Sequence, residues 1–179
     1  AMVLVFSQIS IRVAARAGTR AVVTAGLVIT ASGLAAGATI DADSGYGVLA
    51  VALTLTGIGM GSTMAPAVES LMSTVPPSRA GVASAVNDTT RLSAAAIGVA
   101  VVGSFVSSSY RTSLTEVAGL LTTDPLEQAR TSLAGAVSVA AQLDAPTASQ
   151  IVSTARQGFV EGASIGLAIG ATVAALGAF

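Results

Sequence analysis

Two stretches of this 179-residue chain run for about twenty residues without a single charge: residues 21–40 (AVVTAGLVITASGLAAGATI) and residues 46–68 (YGVLAVALTLTGIGMGSTMAPAV). A helix that crosses the roughly 30 Å hydrocarbon core of a bilayer needs about 20 such residues. Inside that core every backbone N–H and C=O must be satisfied internally, which leaves α-helices and closed β-barrels. Barrel strands alternate apolar and polar residues over about 10 positions. The Gly, Ala and Thr of these runs do not alternate, so the runs read as helices.

Composition closes the other routes. The chain is 53% hydrophobic and 9% charged, with a mean hydropathy of +0.80. Soluble domains carry roughly 25% charged residues, too many for this chain to match. Disorder needs low hydrophobicity and high charge, the reverse of what is seen. The net charge of −1 offers no basic patch for nucleic acid. Cys and His are both absent, which excludes disulfides, Cys/His metal sites and a Ser-His-Asp triad. No cofactor is expected, and neither is an enzyme.

The remaining spans follow from the same criterion. Residues 81–106 form a third, with the second extended to about residue 70, and residues 159–179 form the last. Residues 1–11 read as the tail of an earlier span, and they lack the charged start of a signal peptide. Both ends of the sequence fall inside apolar runs, so a piece of a longer membrane protein is expected. Residues 107–158 are a mixed loop predicted to face the extracytoplasmic side. Within it, Thr123-Asp124-Pro125 reads as a helix start. Leu126, Ala129, Leu133 and Val137 then recur at helical spacing, predicting an amphipathic helix over 125–143. Asp144-Ala145-Pro146 would break it, and a further helix from Thr147 would lead into the last span. A soluble cap, a membrane-surface helix and a solvated linker all remain open for this loop.

Arg in short loops marks the cytoplasmic side. Arg12, Arg16 and Arg20 lie between the first two spans, and Arg79 lies in the Pro-broken turn after the second full span. Asp41 and Asp43 lie in the intervening turn. The sides alternate consistently across the crossings.

Two places carry residues that chemistry or motion would use. Gly57, Gly59 and Gly61, followed by Pro66, combine a small-residue face with a missing backbone donor. They suit either a bending, lining segment or close helix packing. In the third span Ser84, Asn87, Asp88 and Arg91 fall at i, i+3, i+4 and i+7, one face of a helix. A charge at the bilayer centre costs roughly 2.5–3.5 kcal/mol on insertion scales, so such groups face protein or a water-filled path and find partners. Asp88 can pair with Arg91, and Glu69 is a second possible partner. A polar site in a transport path or gate and an interfacial ion pair that holds helices together are both open.

Residues 12–26 (RVAARAGTRAVVTAG) resemble the basic loop that joins paired helices in the major facilitator superfamily. Residues 57–66, Val75-Pro76, residues 79–84 (RAGVAS) and residues 87–99 (NDTTRLSAAAIGV) resemble, in that order, the C-terminal region of its fourteen-helix drug:proton antiporter branch, the EmrB/QacA type. The resemblance implies an all-α polytopic bundle of about four full spans plus the end of a fifth. It implies a bacterial plasma-membrane exporter of small amphipathic compounds in exchange for protons. Its partners would be the bilayer and the N-terminal helices of the same chain. Ala15 stands where the family often has an acid, and Leu92-Ser93-Ala94 where it often has Gln and Gly. An exporter of an endogenous metabolite or antibiotic, and a small non-transporting membrane partner protein, are the alternatives.

Overall fold

The computed structural model describes Val13, residues 18–41 and residues 45–179. Arg12, Arg16, Asp43 and the expected helical tail over 1–11 lie outside the described residues. Among the described residues the secondary structure is helical, with no strand. The α-helices are α1 (Thr19–Ala38), α2 (Tyr46–Ser73), α3 (Ala80–Ser113), α4 (Thr123–Thr131), α5 (Leu133–Ala140) and α6 (Ala145–Leu176), with single 3₁₀ turns at Pro77–Arg79 and Ala118–Leu120. Four of them, α1, α2, α3 with its preceding turn, and α6, are long and apolar enough to cross a membrane.

The chain divides into two compact units. Of the described residues, the first comprises Val13, 18–38, 45–99 and 167–179, the second 39–41 and 100–166. In the first, α1 and α2 pack as an antiparallel pair along small residues. Gly26, Gly33 and Gly37 are buried on α1, and Ala52, Gly59, Gly61 and Pro66 on α2. A Cβ on Gly33 would lie 2.6 Å from the Thr56 backbone nitrogen, and one on Gly59 would lie 2.6 Å from the Gly26 carbonyl oxygen. Only residues without a side chain permit backbones this close. The seam's hydroxyls are satisfied within their own helices. Thr30 donates to the Gly26 carbonyl (2.9 Å), Thr56 to that of Ala52 (2.8 Å) and Thr63 to that of Gly59 (2.8 Å). The end of α6 joins this unit, with the Leu167 side chain beside Gly37 and the Leu34 side chain beside Gly170.

The second unit holds a small core. Tyr110 near the end of α3, Leu114 and Val117 after it, Ala129 of α4, Ala136 and Val139 of α5, and Ile151 and Ala155 of α6 are all buried together. The buried Tyr110 hydroxyl donates to the Ala129 carbonyl at 2.8 Å. Below this core α6 lies against α3 through glycines. A Cβ on Gly162 would meet the Val106 Cα at 2.5 Å, and one on Gly158 the Tyr110 Cα at 3.2 Å. With 34 and 32 residues, α3 and α6 are roughly 51 and 48 Å long at 1.5 Å per residue. Both exceed the thickness of a hydrocarbon core.

Two sequence expectations are corrected. The single amphipathic helix over 125–143 is two helices. Ser132 is extended (φ −169°, ψ 161°), and its side chain accepts the Gly135 amide at 3.0 Å to cap α5. A Ser that bonds nearby backbone competes with helix continuation, and apolar spacing alone does not register it. The short helix expected from Thr147 and the last span are one unbroken helix, which begins at Ala145. Asp144 accepts from the Thr147 amide (3.4 Å) and hydroxyl (3.1 Å). Pro146 occupies the first turn, where its missing N–H is not needed.

Candidate functional site

The expected polar face on α3 is present as a helix surface with almost no cover. Of residues 80–100 only Ala83 and Asn87 are partly buried, and the rest are exposed. Asp88 and Arg91 form an ion pair, with Arg91 Nη2 3.6 Å from Asp88 Oδ1 and both side chains about half exposed (55% and 56%). Asn87 lies beside them, and Ser84 is exposed one turn earlier. Glu69, exposed near the end of α2, makes no ion pair with Arg91. Asp88 lies about 12 Å along the helix axis from Ala80, by the rise per residue.

The glycine segment of α2 divides by position. Gly59 faces α1, Gly61 is buried, and Gly57 is partly buried. Pro66 is among the most completely buried residues, and α2 continues past it to Ser73. The partners on α1, Gly26 and Gly33, were not singled out from sequence. Their spacing, with Thr30 between them and Ala52, Thr56, Gly59 and Thr63 opposite, was the available signal.

The basic residues fall at one end of the α1–α2 pair. Arg20 is in the first turn of α1, and Arg79 ends the 3₁₀ turn beyond α2. Because the two helices are antiparallel, both sit at the same end. Gly18, just before α1, takes φ +88°, a left-handed conformation that favours glycine.

Two further surfaces emerge. In the first unit Val28, Ala31, Ala35, Ala171, Ala175 and Phe179 line an open apolar groove of about 440 Å³. In the second, a cleft of about 360 Å³ is lined by Ser108, Ser109, Thr112, Ser113, Glu116 and Glu161. Also in the second unit, Arg130 pairs with Glu127 at 2.9 Å, and its Nε is buried without a hydrogen-bond partner. Among the described residues no group of His, Cys, Asp and Glu could hold a metal ion.

Four long apolar helices with a charged pair on one of them define a multi-pass helical membrane protein. Its sequence is similar to those of two export proteins. Over 105 residues, 59% of this chain and 21% of the relative, it is 34% identical to the multidrug efflux pump LfrA of Mycolicibacterium smegmatis. Over 107 residues, 60% of this chain and 20% of the relative, it is 29% identical to the tetracenomycin C resistance and export protein of Streptomyces glaucescens. The chain thus spans about a fifth of the length of these curated relatives. No family model matches it. Both relatives are named for transport, not for an enzymatic reaction.

Proposed function

We propose that this chain is the C-terminal part of a major facilitator exporter of the fourteen-helix EmrB/QacA type. It exports small amphipathic compounds across the bacterial inner membrane in exchange for protons, by alternating access. The similarity to two export proteins, in a chain whose four long helices suit a bilayer, carries this reading. The bare face of α3 supports a larger assembly. A helix bearing Asp88 and Arg91 is costly to leave in lipid, so the remaining helices of the parent chain cover it. In this reading Arg91, Asp88 and Asn87 act in gating or helix coupling, and residues 57–66 bend or line the path. The Arg20 and Arg79 end is cytoplasmic, and the folded segment between α3 and α6 is extracytoplasmic.

The test is drug and dye accumulation in an efflux-deficient host expressing the full-length gene, with and without a protonophore. Lower accumulation that the protonophore abolishes is expected. Accumulation equal to the empty-vector control overturns the proposal. The name of the second relative favours a narrower reading, export of one particular antibiotic. A compound panel in the same assay separates a broad substrate range from a single exported compound.

A further inference from the structure

We propose that the folded segment between α3 and α6 is a clip, which holds the C-terminal half of α3 and the N-terminal half of α6 together as one rigid body. The two helix halves meet in two ways. Along their length, Gly158 and Gly162 bring the backbones close, and Gly166 makes room for the Val102 side chain. Beyond them, Tyr110 of α3 and Leu114 just after it share a buried core with Ile151 and Ala155 of α6, closed by α4 and α5. Leu114 and Ile151 are fully buried, and Tyr110 is tied to the Ala129 carbonyl.

The two contacts differ in what drives them. Within lipid, separating two apolar helices exposes them to tails as apolar as themselves, so the glycine seam holds by van der Waals contact alone. The core with α4 and α5 lies where the chain turns polar, and water drives its burial. Ser132 and Asp144 fix the ends of α5 and α6, so the clip has little slack. The core, more than the seam, therefore sets whether the pair stays together. If the export reading holds, these two half-helices turn as a unit during transport, and the clip matters to export without touching the exported compound.

These 179 residues contain no cysteine, so label sites can be introduced in this segment freely, with any cysteine elsewhere in the parent chain first replaced by serine. Labels at Ser107→Cys and Gln157→Cys in the full-length protein, reconstituted in lipid, report the spacing of the pair by pulsed electron paramagnetic resonance. One narrow distance is expected, unchanged by pH or by added drug. Leu114→Ala with Ile151→Ala broadens or splits it, while Gly162→Val shifts it but leaves it narrow. Tyr110→Phe, which removes a single hydroxyl, broadens it more mildly and covers the case in which the double variant fails to insert. The clip is overturned if the inserted core variants stay as narrow as wild type, or if Gly162→Val alone broadens the distance as much. Efflux by the unsubstituted protein is measured alongside. Its absence, with the distances behaving as expected, sinks the export reading and leaves the clip standing.

Discussion

Gly59 lies so close to Thr30 that a methyl group added to it would come within 2.5 Å of the Thr30 backbone nitrogen. The obstacle is main chain, which cannot rotate aside as a flexible side chain would. Gly59→Ala should therefore push α1 and α2 apart, at a cost of about 1–3 kcal/mol, as overpacking does. Gly47→Ala, with nothing within 4 Å of the added methyl, should be neutral or mildly stabilising. Thermal unfolding in detergent checks the pair, and equal melting temperatures would contradict the seam.

Arg91→Ala in the full-length protein should lower efflux about tenfold or more, equivalent to ~1.4 kcal/mol or more in the limiting barrier, with membrane insertion intact. Arg91 and Asp88 are paired to each other, so the exchanged double variant Asp88→Arg, Arg91→Asp should insert better than either single charge reversal. Wild-type resistance in Arg91→Ala would remove this pair from the transport mechanism.

Ser132→Ala should destabilise the segment between α3 and α6 by about 1 kcal/mol through loss of a helix N-cap. Ser132→Asp should retain most of that stability, since its carboxylate can accept the Gly135 amide. Limited proteolysis between residues 123 and 144 reads the difference.

Orientation has a direct test. Ser78→Cys should react with a membrane-impermeant maleimide only from the cytoplasmic side, and Ala141→Cys only from the opposite side. Labelling of both from one side would overturn the assigned topology.

The helices were legible in the sequence to the extent that their signal was length. Nothing but helix suits the uncharged runs in α1 and α2, and the structure has helix there. The Asp88–Arg91 pairing was legible too, because i,i+3 spacing on a helix fixes proximity whatever surrounds it. The small core was not. Leu114 and Val117 share a core with residues far along the chain (Ile151 and Ala155), and periodicity within one helix carries no such information. Ser132 was missed for a local reason: Leu126, Ala129, Leu133 and Val137 keep their spacing across the break, so the hydroxyl that stops α4 and starts α5 leaves the apolar pattern intact. The break at Asp144-Ala145-Pro146 is legible, because a new helix begins at Ala145 with Pro146 in its first turn; that this helix continues unbroken through the last span is not.

Thr30, Thr56 and Thr63 each close their hydrogen bond onto a carbonyl of their own helix, although all three lie at or beside the seam where α1 and α2 meet. Neither helix needs the other to quench these three hydroxyls. During biosynthesis each can leave the translocation channel and reside alone in lipid with these three hydroxyls already satisfied, and pair afterwards. Entry into the membrane and recognition between neighbours are then separate events, and a change at Gly59 would disturb the second while sparing the first.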